Sequence, residues 1–303
     1  MKKNQLGSSV LYVTEIGFGC MSIGTIEAQG IRLIHEALDQ GINFLDTADL
    51  YDFGRNEEIV GQALKGKRQD VILSTKVGNR WHENKEGWFW DPSKAYIKEA
   101  VKKSLSRLQT DYIDLYQLHG GTLEDPIEET IEAFEELKQE GLIRYYGISS
   151  IRPNVIREYV HRSNIVSVMS QYSILDRRSE EEVLGLLQKN QISLIARGPV
   201  AKGNLSDKVL NKPIDNGYLD YHAEEIVDLV KRLKALSTAD RSVSQIALRF
   251  ALAHPAVATV IPGASRLEQV YENVKAAKAL PLTVEEIRQI QQWSKANRYE
   301  SHR

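Results

Sequence analysis

The sequence predicts an α/β fold, a (β/α)8 TIM barrel with an N-terminal β-hairpin and extra helices. Short β-branched runs alternate along the chain with longer segments whose apolar residues recur at helical spacing. Such alternation is typical of parallel strands joined by covering helices. Eight strand-like runs and no break in composition favour a closed barrel over an open sheet. We therefore expect one domain over residues 1–303, a size that single barrels reach routinely.

The elements follow in chain order. Residues 5–13 predict a hairpin with a Gly-Ser turn, which is suited to closing one barrel end. The predicted barrel strands are residues 15–20, 42–46, 71–76, 113–119, 143–149, 166–171, 192–197 and 257–262. Predicted covering helices are residues 31–40, 93–108, 127–140 and 180–190. Further helices are expected at 223–236, at 243–253 and after Pro281, where Thr283 and Glu286 form a capping-box pattern.

Composition narrows the classes of function. The chain is 42% apolar and 26% charged, and its net charge of −2 gives no bulk field that would attract nucleic acid or an anionic membrane. Cys20 is the single cysteine, which excludes an intramolecular disulfide and disfavours a cysteine-based zinc site. The start lacks the apolar run of a signal peptide, and no stretch of about 18 apolar residues occurs. We expect a cytoplasmic protein without nucleic-acid or membrane partners.

Four chemically useful side chains lie at or just beyond predicted strand ends. Asp46, Lys76 and His119 each close a strand, and Tyr51 follows Asp46 after a short loop. In parallel barrels reactive groups lie at the C-terminal strand ends. An isolated tyrosine or histidine is more often structural, but the joint placement favours a catalytic site. One histidine and one aspartate are too few ligands for a metal centre, so none is expected.

This set fits carbonyl reduction. A hydride arriving at a carbonyl carbon creates an alkoxide, which needs a proton donor within hydrogen-bond reach. Tyr51 is the candidate general acid/base, and Lys76 would tune it because a nearby ammonium favours the phenolate. Asp46 would keep the lysine charged, and His119 would orient the substrate oxygen. No side chain supplies hydride, so a cofactor is required.

Several longer motifs then resemble one family. The segment INFLDTADLY at 42–51, with Glu58 and Gly61 downstream, resembles the signature of the aldo-keto reductases, and STK at 74–76 and DYIDLYQLH at 111–119 resemble their lysine and histidine segments. The likeness continues through GISS at 147–150, GPVAKGNL at 198–205 and IPGASRLEQVYEN at 261–273. It covers nearly the whole chain in the expected order. It implies an NADPH-dependent oxidoreductase that reduces aldehydes or ketones, with NADPH/NADP+ lying across the barrel mouth.

The resemblance also implies cofactor contacts. Those around the nicotinamide and its ribose are Gly19, Cys20, Met21, Asp46, Ser149, Ser150 and Gln171. The pyrophosphate segment comprises Arg197, Gly198, Pro199, Val200, Lys202, Gly203 and Leu205, and the adenosine-phosphate end comprises Gly263, Ser265, Arg266, Gln269, Glu272 and Asn273. Arg266 is the natural partner for a 2′-phosphate because a guanidinium makes charge-assisted, often bidentate contacts.

The chain departs from the family pattern at four positions near the expected cofactor site. Ser150 stands where many members have Asn, and Met169 occupies the usual carboxamide-binding Gln position. Arg197 replaces an aromatic residue that often stacks on the nicotinamide, and its planar guanidinium could stack instead. Gly263 stands where some branches carry a phosphate-binding Lys, which leaves more of the NADPH preference to Arg266.

Substrate and competing functions stay open. Residues 77–92 form a predicted long loop with Trp81, Trp88, Phe89 and Trp90, which could line an apolar substrate pocket or simply pack locally. A second hypothesis is a nucleotide-sensing binding protein, because potassium-channel β subunits share this motif set. A third is a Schiff-base lyase using Lys76, which a neighbouring Asp46 disfavours by keeping the amine protonated.

Overall fold

A computed structural model of the chain describes residues 1–211 and 216–303. Its strands in chain order are β1 (Lys3–Gln5), β2 (Tyr12–Thr14), β3 (Phe18–Gly19), β4 (Phe44–Asp46), β5 (Ile72–Val77), β6 (Asn79–Trp81), β7 (Trp88–Trp90), β8 (Ile113–Leu118), β9 (Ile143–Ser149), β10 (Ser167–Gln171), β11 (Ser193–Arg197) and β12 (Val257–Ile261). β3, β4, β5 and β8 to β12 pair in parallel as one eight-stranded sheet. Parallel bridges from Ile16 to Val260 and from Gly19 to Gly263 join its first and last strands. The predicted barrel is confirmed, with a closure that rests on these bridges.

Helices cover the outside of this sheet. In chain order they are α1 (Glu27–Asp39), α2 (Arg55–Ala63), α3 (Lys94–Leu108), α4 (Ile127–Gln139), α5 (Pro153–Arg162), α6 (Val183–Lys189), α7 (Ala223–Ala235), α8 (Val243–Leu252), α9 (Leu267–Lys278) and α10 (Val284–Trp293). Their apolar faces join the barrel's outward-facing side chains in the larger hydrophobic cluster of the core. The capping box at the start of α10 is confirmed: Thr283 Oγ1 accepts from the Glu286 amide, and the Glu286 side chain accepts from the Thr283 amide.

The N-terminal hairpin closes the end of the barrel where the parallel strands begin. β1 and β2 pair antiparallel, with Lys3 opposite Thr14. Leu6, Leu11 and Val13 are buried in the second hydrophobic cluster, together with barrel residues such as Val166. The Gly7 amide donates to Ser193 Oγ at 2.8 Å, which ties the turn to the start of β11. This leaves the opposite, C-terminal end of the barrel as the mouth.

Some predicted boundaries were wrong. The first strand is limited to Phe18–Gly19, and Cys20 already begins a short 3-10 helix, because the glycine-rich segment makes few regular pairs. α1 starts at Glu27 rather than at 31, and α6 covers only Val183–Lys189. Residues 77–92 are not an unstructured loop: β6 and β7 pair antiparallel, with Asn79 opposite Trp90 and Trp81 opposite Trp88. Helices α2, α5 and α9 were not predicted.

Among the helices of residues 1–211 and 216–303, none combines the length and the apolar character needed to cross a bilayer.

Candidate active site

The four side chains singled out in the sequence meet at the barrel mouth. Asp46 ends β4, Lys76 lies near the end of β5, His119 directly follows β8, and Tyr51 begins a turn after β4. The strands are parallel neighbours in the order β4, β5, β8, so their ends converge. The structure therefore brings all four together.

Lys76 is the centre of the cluster. Its Nζ donates to Asp46 Oδ2 at 2.7 Å, to the Thr47 carbonyl at 2.6 Å and to Tyr51 Oη at 3.2 Å. These three acceptors use all three hydrogens of an ammonium group. The lysine is 0% exposed and Asp46 is 3% exposed, so water has no access to the pair. A charge this deeply buried needs such partners.

The electrostatics of this pair keep the lysine protonated. Burial by itself would lower the pKa of Lys76, but Asp46 and Tyr51 raise it, and the pKa lies above its ordinary value. Burial raises the pKa of Asp46, and this effect outweighs the ammonium of Lys76 and the hydroxyl of Ser74, which both lower it. Ser74 Oγ donates to Asp46 Oδ1 at 3.2 Å, and Gln117 Nε2 donates to Ser74 Oγ at 2.8 Å. One oxygen of the Asp46 carboxylate is therefore bound by Ser74 and the other by Lys76.

Tyr51 sits on an unusual turn. Its hydroxyl accepts from Lys76, whose Nζ lies 4.9 Å from the centre of the phenol ring. Asp52 and Phe53, the next two residues, have φ values of 49° and 52°, in the left-handed region that non-glycine residues rarely adopt. Such backbone strain clusters at functional sites, where the surrounding structure over-determines it. The turn aims the phenol at Lys76 and at the mouth.

His119 is half-buried beside the tyrosine. The two rings meet edge to face, with centroids 6.0 Å apart and an interplanar angle of 83°. Burial lowers the pKa of His119 well below 6.5, and the positive charges of Lys76 and Arg197 lower it further. The imidazole is therefore neutral at neutral pH. Its Nδ1 is buried and has no hydrogen-bond partner within the described ranges.

A second buried network behind Tyr51 was missed by sequence reasoning. Glu57, fully buried on α2, accepts from Thr75 Oγ1 at 2.6 Å and from Arg107 Nε at 2.7 Å. Asp49 is 1% exposed, and burial and the nearby Glu57 raise its pKa well above the ordinary value. Asp49 lies inside the motif that contains Asp46 and Tyr51, so its acidic side chain was a signal that could have been used.

The residues expected to contact the nicotinamide follow the ends of β3, β9 and β10. Ser149 and Ser150 are buried at the end of β9, and the Ser150 amide donates to the Met169 carbonyl at 3.0 Å. Gln171, at the end of β10, accepts from Arg178 at 3.2 Å. The Met169 side chain is buried inside the barrel, and its thioether is only a weak hydrogen-bond acceptor. Gly19 pairs with Gly263 across the barrel closure, Cys20 is fully buried, and Met21 is 64% exposed.

The expected pyrophosphate and adenosine segments follow β11 and β12 at the same mouth. Arg197 ends β11 half-buried, and Gly198, Lys202 and Gly203 are exposed while Pro199 and Leu205 are buried and Val200 is half-buried. Arg266 is the N-cap residue of α9. It is exposed, and its side chain makes no hydrogen bond to the first turn of the helix. Ser265 is held by Gln269, whose Oε1 accepts from its amide at 2.9 Å.

The last two residues of the adenosine segment already have partners within the protein. Glu272 accepts from the hydroxyl of Ser242, and the Asn273 side chain donates to the Gly263 carbonyl at 3.4 Å. The segment is thus anchored through α9 at one end and carries the exposed Arg266 at the other.

The tryptophans differ in their surroundings. Trp88 is 53% exposed on the hairpin. Trp81 is half-buried: its ring meets Phe53 edge to face at 6.3 Å, and the Arg107 guanidinium lies 5.4 Å from it. Trp90 donates from Nε1 to Asp125 Oδ1 at 2.9 Å and packs against the main core. Only Trp88 faces solvent broadly.

Residues 1–211 and 216–303 contain no group of three or more His, Cys, Asp or Glu side chains that could hold a metal ion.

Comparison with known proteins agrees with this geometry. The Aldo/keto reductase family pattern matches residues 15–295. The oxidoreductase YqkF of Bacillus subtilis (strain 168) is 59% identical, with all of both chains covered. The holo form of the aldo-keto reductase AKR11C1 from Bacillus halodurans is 62% identical, with a TM-score of 0.93 over 100% of this chain and 99% of that one.

More distant relatives carry information on cofactors. An aldo/keto reductase from Klebsiella pneumoniae, solved in complex with NADP and acetate, is 28% identical with a TM-score of 0.79 over 100% of this chain and 99% of that one. The NADH-specific methylglyoxal reductase of Escherichia coli (strain K12) is 33% identical over 91% of this chain and 93% of its own. Relatives therefore bind either phosphorylated or unphosphorylated nicotinamide nucleotides. This chain belongs to the aldo/keto reductase family and is an oxidoreductase.

Proposed function

We propose that the protein reduces aldehyde or ketone carbonyls to alcohols with NADPH, and that Tyr51 is the general acid/base. The observation that carries this proposal is the fully buried Lys76 ammonium, which lies 2.7 Å from Asp46 Oδ2 and 3.2 Å from Tyr51 Oη. A buried charge with this arrangement is costly to the fold and typical of a functional site.

We assign the proton donor from these contacts. When hydride reaches a carbonyl carbon, the oxygen becomes an alkoxide and takes a proton from the nearest donor. The Tyr51 hydroxyl is such a donor, since it accepts from Lys76 and its own hydrogen remains free for the substrate. The ammonium at 3.2 Å stabilises the phenolate that remains. Asp46 keeps Lys76 charged throughout.

His119 is assigned to orienting the substrate. Because burial holds its pKa well below 6.5, the ring is neutral and keeps one N–H that can donate to a carbonyl oxygen. Its ring stands edge to face against Tyr51 at 6.0 Å, so a carbonyl oxygen between the two could contact both. A neutral imidazole polarises the carbonyl without competing with Tyr51 for the role of acid.

The residues at the mouth fit a nicotinamide nucleotide, which would supply the hydride when bound. The half-buried Arg197 lies close enough to Asp46 and His119 to influence both their pKa values. Its guanidinium could stack on a planar ring at that point. Exposed Gly198 and Gly203 let backbone amides approach an anion closely.

The preference for NADPH is assigned to Arg266. Its exposed guanidinium stands at the N-terminus of α9, a helix of 12 residues whose dipole also favours an anion. A 2′-phosphate there would gain two sources of positive potential. The relatives named above use both types of nucleotide, so the family alone does not fix this choice.

The alternatives are weaker. A Schiff-base lyase needs a neutral, accessible amine, whereas Lys76 is 0% exposed and its pKa is raised. A nucleotide-sensing role remains compatible with the nucleotide segments but gives no reason for the buried tetrad.

The test is an NADPH-oxidation assay across a panel of sugar, aromatic and dicarbonyl aldehydes and ketones. We expect repeated turnover with at least one class, and loss of that turnover in Tyr51→Phe. Stoichiometric hydride transfer without turnover, together with a stable protein partner, would support the nucleotide-sensing role instead.

A further inference from the structure

The indole of Trp90 is wedged between two backbone segments at the active site. A Cβ placed on Gly78 would lie 2.5 Å from Trp90 Cζ3, and one placed on Gly120 would lie 2.9 Å from the same atom. Both glycines have positive φ values, 123° and 145°. Gly78 directly follows Val77, the last residue of β5, and Gly120 directly follows His119, the first residue after β8. The ring therefore fits only because neither position carries a side chain.

The other edge of the indole is tied to the chain that follows His119. Trp90 Nε1 donates to Asp125 Oδ1 at 2.9 Å. The same carboxylate accepts from the Thr122 hydroxyl at 2.8 Å and, through Oδ2, from the Thr122 amide at 2.7 Å. Trp90 thus connects the β6–β7 hairpin to the loop between β8 and α4.

His119 is held at its backbone and not through Nδ1. Its amide donates to the Val77 carbonyl at 2.7 Å, and its carbonyl accepts from Asn79 Nδ2 at 2.9 Å. Its Nδ1 has no hydrogen-bond partner in the described part of the chain. A histidine normally has its ring orientation set by a hydrogen bond at the other nitrogen. Here backbone placement and packing must set it.

We infer that Trp90 is a positioning residue for His119: by filling the space between Gly78 and Gly120, it fixes the backbone from which the imidazole reaches the substrate. This inference rests on the proposed function, in which His119 orients the carbonyl. It gives Trp90 a role different from lining a substrate pocket. Errors of about 1 Å in such a group can cost up to roughly 100-fold in rate.

The first experiment measures single-turnover hydride transfer from NADPH to the fastest carbonyl of the panel. Trp90→Leu is expected to slow this step about 10- to 100-fold while the NADPH dissociation constant stays within about twofold. The matched control is Trp293→Leu, a half-buried tryptophan on α10 that packs against the same core. It should lower stability and leave the hydride-transfer rate near the wild-type value.

A double-mutant cycle then separates positioning from general damage. If Trp90 acts through His119, Trp90→Leu should change the rate by less than about twofold in a His119→Ala background, because the group it positions is absent. Equal fold-losses in both backgrounds would overturn the inference while leaving the proposed function intact. An inactive wild type, or a His119→Ala variant as fast as wild type, would instead refute the function assigned to His119.

Where Trp90→Leu does not fold, Trp90→Phe decides. Phenylalanine is smaller than tryptophan, so it leaves part of the space between the two glycines empty, and it lacks the Nε1 donor to Asp125. A slower hydride transfer with unchanged NADPH affinity supports the inference, and a wild-type rate contradicts it.

Discussion

The Lys76 end and the Arg266 end of the barrel mouth hold their charged side chains in opposite ways. Lys76 is 0% exposed and makes three hydrogen bonds, so its surroundings are complete before any ligand arrives. Arg266 is exposed and makes no side-chain cap hydrogen bond on α9. The chemical end is preorganised, which favours catalysis. The exposed guanidinium of Arg266 is where we propose that the 2′-phosphate of NADPH binds.

The largest expected effect falls on the Lys76 end. Tyr51→Phe should lower the rate of carbonyl reduction by about 10²- to 10⁴-fold, the usual contribution of general acid catalysis. NADPH affinity should change little, since the substitution removes one hydroxyl next to Lys76. Single-turnover kinetics and fluorescence titration measure the two quantities. An unaltered rate with chemistry limiting would exclude Tyr51 as the proton donor.

Loss of the buried Lys76 charge should lower the free energy of unfolding more than loss of an exposed charge. Lys76→Met leaves Asp46 buried without its partner, and such losses cost about 3–5 kcal/mol in free energy of unfolding. The control is Lys103→Met, which breaks the pair with Glu99, whose side chains are 59% and 52% exposed. Exposed pairs contribute about 0–1 kcal/mol. Urea denaturation of both variants gives the comparison. Similar small losses would mean that the Lys76 pair is no more demanding than a surface pair.

Substitution of Arg266 should change the affinity for the nucleotide rather than the stability of the fold. Arg266→Ala should weaken NADPH binding about 10- to 100-fold, as expected for one charged hydrogen-bonding group worth roughly 1.5–3 kcal/mol. NADH binding should barely move, because NADH lacks the 2′-phosphate. Arg288→Ala, an exposed arginine of α10, serves as the control. Equal losses of affinity for NADPH and NADH would mean that Arg266 maintains the conformation of this segment and does not bind the 2′-phosphate.

The smallest effect concerns His119 and pH. Its folded-state pKa lies well below 6.5, so as pH falls below about 6.5 the unfolded chain binds a proton that the folded ring refuses. Folding stability should then decline with acidification, and above that pH the residue contributes no pH dependence. His119→Asn should therefore lose less stability than wild type between about pH 7.5 and pH 5, because it removes the group that protonates only in the unfolded chain. Parallel stability curves for the two proteins would show that the ring titrates normally in the fold.

Strands and catalytic candidates could be predicted because their sequence signals are local. β12 is buried at every position, so it appears as a short run of β-branched and apolar residues. Asp46, Lys76 and His119 were recognisable because each lies at or next to a strand end, and parallel topology then brings such ends together. Their roles in catalysis stay predictions.

The missed elements depend on tertiary partners. α2 buries Asn56 and Glu57, so its sequence looks polar although these side chains bond to Thr47, Thr75 and Arg107. The tryptophan hairpin depends on Trp90 reaching Gly78 and Gly120, and the latter is 30 residues along the chain. The hydrophobic pattern of a short stretch of sequence carries no information on contacts between residues this far apart in the chain.

The most direct test of the account is the pH dependence of single-turnover hydride transfer in wild type and Lys76→Met. If the Lys76 ammonium favours the phenolate of Tyr51, the variant should transfer hydride more slowly. The pH dependence of that rate should also differ from wild type, because the hydroxyl that donates the proton has lost the charge 3.2 Å from its oxygen. A profile of the same shape and midpoint as wild type would contradict the coupling between Lys76 and Tyr51.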